Sequence, residues 1–257
     1  VATKAAKKVK PKGIEVEAEV IPKQREVTNV SSRFSGPVDE LAKMADAATD
    51  AVGLKQYGSA TDLVSANVRK LAATPEGNEL GIAVTNWSSG GNEAHRRGAT
   101  KWLKGSDDFI GVAEQQGAKL AEAASVSPPV NVPTYRGINM INQSIDQVED
   151  MYKVGTKFDS ELSSFSTSDD IAKSFAGKGK QPMDTSVVLN LESGAEGLNV
   201  SSISSYIGEK ERIFQGRFEV LKVERITLPP EFHGDISPGT VLNVHIRQIV
   251  NFQKEVR

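Results

Sequence analysis

Gly208-Glu209-Lys210-Glu211-Arg212-Ile213 is the stretch on which the reading of this chain turns. It places two carboxylates two residues apart, just before a strand expected over 212–214. Side chains at i and i+2 of an extended segment project to the same side, so Glu209 and Glu211 are expected to converge. Two convergent carboxylates suit chemistry that passes through a positive centre: one stabilises an oxocarbenium ion and the other handles a proton. An isolated Glu-x-Glu is most often solvated surface. Its weight here comes from what precedes it.

Two earlier segments supply that context. Pro133-Thr134-Tyr135-Arg136-Gly137 is an extended run with an arginine near its end. Phe165-Ser166-Thr167-Ser168 leads into Asp169-Asp170-Ile171-Ala172-Lys173-Ser174-Phe175. The order arginine, Ser-Thr-Ser, Glu-x-Glu resembles the arginine–serine–glutamate class of mono-ADP-ribosyltransferases, which includes actin-modifying bacterial toxins and enzymes that tailed bacteriophages inject into their hosts. The third motif resembles the family beyond its glutamates: 197–211 is similar to its strand, turn and catalytic loop, with Tyr206 three residues before Glu209. The resemblance covers 133–218 well and 70–105 faintly; none is seen over 1–35. It implies an α+β fold, a split, mostly antiparallel β-sandwich core preceded and flanked by helices. It also implies NAD as substrate and an arginine of a host target protein as acceptor.

The resemblance also implies roles. Glu211 would hydrogen-bond the nicotinamide-ribose 2′-hydroxyl and oppose the growing positive charge. Arg136 would clamp the diphosphate, because a guanidinium forks onto two oxygens; the alternative is a salt-bridged strand arginine. Ser166 would orient Glu211 and contact the ribose, Thr167 supporting the strand, while Ser168 fits a helix N-cap. Phe175 falls where the family has an aromatic beside nicotinamide, although it also fits a buried helix position. Lys178 falls at a phosphate-binding cation. Gly137 would let the backbone approach the cofactor. Trp87 either stacks on adenine or fills the core, with Arg96 or Arg97 following for phosphate or ribose. The family's usual tyrosine and later Ile-Asn pair are missing from this stretch. Glutamate at position 209 accompanies arginine modification in the family, and Tyr206 would present the target or pack the turn.

Composition fits a soluble enzyme. The 257 residues are 38% hydrophobic and carry a net charge of −2, which argues against a wholesale nucleic-acid binder. No apolar run approaches the ~18 residues of a membrane span. With no cysteine, disulfides and thiol catalysis are excluded. His95, His233 and His245 lack metal-ligand spacing, so no metal is expected. Gly177-Lys178-Gly179-Lys180 lacks the Walker pattern, and no glycine fingerprint follows a strand. If NAD binds, it does so without a Rossmann fold.

Residues 1–36 read as a basic arm and linker. Val1–Lys12 holds five lysines and no acid and is the one segment suited to nucleic acid, although a solvated tail is the plainer reading. Ile14–Val20 could add a strand, and 31–37 reads as linker. Residues 37–257 form the expected catalytic domain, with a helical part over 37–124 and a β-rich core over 125–257. Helical spacing runs from Val38 to Ala48 and from Asp62 to Leu71. A break follows at 74–78, then helix over 80–87, 92–103 and 107–124. Strands are expected at 132–137, 163–168, 185–191, 197–200, 212–214, 217–226 and 240–250. The basic arm, the lack of an apolar signal segment and the missing cysteine point to a phage protein, virion-delivered or made in the host cytoplasm; a secreted bacterial toxin is the other setting. The competing function is a binding protein with a decayed transferase fold.

Overall fold

Local sequence chemistry starts several of the helices. The computed structural model describes residues 32–48, 59–90, 92–177, 184–228 and 240–253; the basic arm, the possible strand at 14–20, Lys178 and His233 lie outside them. Helix α1 (Ser35–Ala48) buries Val38, Leu41, Met44 and Ala45. The expected linker at 31–37 is instead an anchored turn from Ser32 onward. The Ser32 hydroxyl accepts the Phe34 N–H at 3.0 Å, and Phe34 is fully buried. Helix α2 (Ala60–Leu71) is capped by Ser59. Helix α3 (Pro75–Ser88) begins inside the segment read as a break. Thr74 is its N-cap, accepting the Gly77 N–H at 3.1 Å, and Pro75 occupies the first turn, where a missing N–H costs nothing. Helices α4 (Asn92–Leu103) and α5 (Gly111–Ser125) complete the helical half.

The β-rich half contains β1 (Thr134–Met140), α6 (Ile145–Met151), β2 (Lys157–Ser166), α7 (Asp169–Gly177), β3 (Thr185–Leu191), β4 (Gly197–Asn199), β5 (Glu211–Thr227) and β6 (Thr240–Val250). The short α6 was not anticipated. Its Ser144–Gln147 capping box satisfies both ends of the first turn. The sheet order is β2-β1-β3-β6-β5-β4, with β2 also paired to β5. All pairings are antiparallel except β3 with β6. The fold is α+β, with one parallel pair inside a mostly antiparallel core.

Strand β5 explains the split. The two strands expected at 212–214 and 217–226 are one continuous strand of 17 residues. Strand β4 pairs with its start, β2 with its first part as far as Glu219, and β6 from Arg217 onward. Just before the β6 pairing Gly216 has φ +137°, and the β6 register shifts at Arg217/Phe218. Only glycine adopts that conformation readily, so the strand bends there and serves two sheet faces. One apolar core joins the helices to the inner face of β4 and β5 through Leu80, Val84, Trp87, Leu120, Leu198 and Ile213. A second lies between the sheet faces around Phe165, Phe214, Phe218, Leu189, Val244 and Ile246. A third seats α7 on β3 and β6 through Ala172, Ala176, Val188 and Val241. Burial of each such large side chain contributes about 1.5–3 kcal/mol.

Candidate functional site

Strand registry brings the three motifs side by side. Tyr135 of β1 pairs with Ser166 of β2, and Ser166 pairs with Glu211, the first residue of β5. Arg136 therefore lies one residue from the point where the serine and glutamate motifs meet. Glu211 is 6% exposed, and its carboxylate is held by donors from three separate elements. Oε1 accepts from Ser164 Oγ of β2 at 2.5 Å and from Trp87 Nε1 of α3 at 3.0 Å. Oε2 accepts from Ser204 Oγ at 3.2 Å, whose single proton has Ser88 Oγ as its other acceptor at the same distance. Ser88 Oγ lies 3.4 Å from Oε2, but its single proton has a shorter acceptor in the Val84 carbonyl at 3.0 Å. An ionised carboxylate offers about four acceptor positions. Three donors leave one position for an incoming hydroxyl.

This arrangement corrects three expectations and decides between the two readings of Trp87 in favour of the core. Glu209 and Glu211 are not i and i+2 of an extended segment. Glu209 ends a 3-10 turn (Ile207–Glu209), and Lys210 takes φ +49°, so the chain reverses between them. Glu211 turns into the protein, while Glu209 is half-buried. Ser166 does not orient the Glu211 carboxylate. Its hydroxyl donates to the Glu209 carbonyl at 2.6 Å and accepts the Ser168 N–H at 2.9 Å, so it anchors the loop backbone. Ser164, two residues earlier on the same strand face, bonds the carboxylate. Trp87 presents no face for adenine stacking: it is 1% exposed and packed in the helical core. Gly137 does not open the backbone to a cofactor, because α7 occupies that space. A Cβ there would lie 2.0 Å from the Ala172 carbonyl oxygen, so its missing side chain serves helix–strand packing.

Strands β1 and β2 pair only at Tyr135↔Ser166, and a cleft of ≈240 Å³ opens beside the gap. Arg136 from β1, Arg96 from α4, Tyr152 and Ser163 line it over a floor that includes Phe158 and Phe218. Arg136 Nη1 donates to the Ser164 carbonyl at 3.3 Å. Arg96 Nε donates to the Leu162 carbonyl at 3.2 Å. Burial, and then the neighbouring Arg96 charge, lower the Arg136 guanidinium to about 10, with Tyr152 and Glu211 acting in the opposite direction. Two guanidiniums that repel one another in a partly desolvated cleft are poised for an anion. Of the acids nearby, Asp159 is held bidentately by Arg217 at 2.6 and 2.8 Å; Glu161 also lines the cleft.

Solved structures resemble this fold. Vis, an ADP-ribosyltransferase toxin from Vibrio splendidus solved with agmatine, is 17% identical, with 89% of each chain covered and a TM-score of 0.48. Exoenzyme S of Pseudomonas aeruginosa, solved with human 14-3-3 protein beta and carba-NAD, is 14% identical over 81% of this chain and 88% of that one, at a TM-score of 0.43. Plx2a, an ADP-ribosyltransferase toxin from Paenibacillus larvae, is 16% identical over 74% of this chain and 95% of that one, at 0.46. No protein-family model and no curated protein matches the chain.

The remaining candidates are more dispersed. Neither Glu211, Phe175, Tyr206 nor Trp87 lines the two-arginine cleft. Phe175 is 45% exposed on α7 rather than buried, and Tyr206 is 56% exposed on the turn before Glu209. Tyr206 accepts the Glu209 N–H at 2.8 Å through its carbonyl. Arg97 is committed to Glu93 at 3.0 Å and Glu114 at 3.3 Å, which leaves Arg96 as the α4 arginine of the cleft. His95 is buried beside Gln116 at 3.3 Å, its ring edge-on to Trp87. Among the described residues no cluster of His, Asp or Glu could hold a metal ion, and no helix is long and apolar enough to cross a membrane.

Sequence reasoning missed Ser164, Ser204 and Tyr152. Ser164 had a signal in the period of two, since it shares the strand face of Ser166. Ser204 and Tyr152 had none, because their roles depend on where the chain folds back.

Proposed function

We propose that this chain is an NAD-dependent mono-ADP-ribosyltransferase that moves ADP-ribose to an arginine of a target protein and releases nicotinamide. The observation that carries the reading is the ladder Tyr135↔Ser166↔Glu211. Three motifs far apart in sequence become neighbours, with a fixed carboxylate at one end and a cationic cleft beside it. That distribution of charge suits a substrate with a diphosphate and a reacting centre that turns positive.

The steps follow from the residues. Arg136, with Arg96, binds the diphosphate of NAD. The bond from ribose C1′ to the nicotinamide nitrogen breaks, its electron pair leaving with neutral nicotinamide. Glu211 uses its remaining acceptor position for the ribose 2′-hydroxyl and opposes the oxocarbenium charge from a preorganised site. A guanidinium stays protonated at ordinary pH and cannot attack as a cation. Its nitrogen loses a proton as the bond to C1′ forms, and Glu209 is the base that takes it. Glutamate at this position supports arginine as acceptor through the family resemblance. Partly exposed Tyr206 sits where an incoming protein would meet the loop. We read the setting as a phage or bacterial effector acting on host proteins.

The test is incubation with labelled NAD and extracts of bacterial and eukaryotic cells, with nicotinamide release followed in parallel. Labelled protein bands whose label is held on arginine are expected from one extract. In Glu209→Gln, nicotinamide release to water should fall modestly while transfer to an arginine analogue falls far more. Equal losses, or label on another residue type, contradict the assignment of Glu209 and of the acceptor.

A further inference from the structure

Trp87 comes from the helical half of the chain, yet its indole N–H reaches the carboxylate at the start of β5. The N–H is shared between Glu211 Oε1 and Ser164 Oγ, both at 3.0 Å. A hydroxyl rotates to suit its neighbours, whereas an indole nitrogen only donates, in the direction its ring dictates. The Trp87 ring is locked by the core it shares with Leu80, Val84 and Leu120, so its N–H points to one place. The same ring lies under Arg96, whose guanidinium carbon sits 5.9 Å from the ring centroid. Trp87 thus touches both the cleft arginine and the buried carboxylate.

We propose that Trp87 is a positioning residue that sets Glu211 in register with the two-arginine cleft. Resting on the transferase reading above, the role is to fix Oε1 so that the remaining acceptor position of the carboxylate faces a substrate anchored at Arg96 and Arg136. Without that contact Ser164 and Ser204 would still bond the carboxylate, but both are hydroxyls on the chain that carries it or pairs with it. Ser204 reaches α3 only through the Ser88 hydroxyl at 3.2 Å, a rotatable contact, and neither serine reaches α4. The helical half would then hold the diphosphate while gripping the reacting end only through the rotatable Ser88 hydroxyl.

The experiment replaces Trp87 with β-(3-benzothienyl)alanine, which keeps the ring and substitutes sulfur for the N–H; the same replacement at Trp102 of α4 is the control. Nicotinamide release should show kcat about tenfold lower at position 87, as for a lost hydrogen bond to a charged group. KM for NAD should stay within about twofold, and the position-102 variant should match wild type. Independently of activity, the Trp87 indole ¹H–¹⁵N resonance should move upfield in Glu211→Gln. A wild-type kcat at position 87, a loss confined to KM, or an indole resonance indifferent to Glu211→Gln overturns the positioning role. Absence of NAD cleavage by the wild-type protein overturns the transferase reading instead, and the resonance then decides the contact alone.

Discussion

Ser164→Ala removes the shortest hydrogen bond reaching Glu211, the 2.5 Å contact to Oε1. A hydrogen bond to a charged group contributes about 1.5–3 kcal/mol, and each 1.36 kcal/mol of barrier is about tenfold in rate. Trp87 and Ser204 remain on the carboxylate, so its placement is loosened rather than lost. The expected fall in kcat for nicotinamide release is therefore roughly 10–100-fold, with little change in melting temperature. Ser166→Ala is the matched comparison. It removes a donor to the Glu209 carbonyl and an acceptor for the Ser168 N–H, each worth about 0.5–1.5 kcal/mol net. The melting temperature should then drop by a few degrees, at ~2–4 °C per kcal/mol, with a smaller loss of hydrolysis. Saturating NAD, an end-point nicotinamide assay and thermal melts on both variants give the answer. Wild-type turnover in Ser164→Ala, or a Ser166→Ala variant that loses kcat more deeply while melting normally, refutes the division between the two serines.

Arg136→Lys keeps a cation but loses the fork, so NAD affinity measured by calorimetry should weaken clearly while the melting temperature stays close to wild type. A large melting shift with unchanged affinity would make Arg136 a structural residue. Glu114, buried where α4 crosses α5, is held at about 2 by Lys101, the Ile110 N–H and Arg97. Its folded value lies below the ordinary 4.5, so its contribution is fully present above that value and is lost as pH falls from 4.5 towards 2. Acid melts should show stability falling through that window, and Glu114→Gln should remove part of the slope; an unchanged slope contradicts it.

The parts of the fold legible in the sequence were those where local pattern and tertiary context agree. Helix α4 and strands β3 and β6 fall where spacing placed them, because each buries one regular face. Strand β5 was divided in two because Gln215-Gly216 reads as a break, whereas the fold uses Gly216 as a bend within one strand. Helix α6 escaped notice because seven residues give too little period, although its capping box was written at Ser144 and Gln147. At the site, residue types were legible and their tasks less so. Ser166 and Glu211 meet as their motifs imply, yet a left-handed Lys210 redirects Glu209, and the neighbouring Ser164 takes the carboxylate. Trp87 and Gly137 could be assigned only with packing in hand. An indole fills a core or stacks on a ligand with equal ease, and a glycine admits a helix or a cofactor.

The central claim is that the carboxylate of Glu211 stabilises the breaking of the nicotinamide–ribose bond. Glu211→Gln is nearly isosteric and can still accept from Trp87 and Ser164 through its amide oxygen, so the fold should persist. It removes the charge that opposes the oxocarbenium ion. Nicotinamide release from NAD, measured on folded wild-type and variant protein at matched melting temperature, should fall by roughly 10²–10³ or more. Turnover within a few-fold of wild type in that variant would contradict the account.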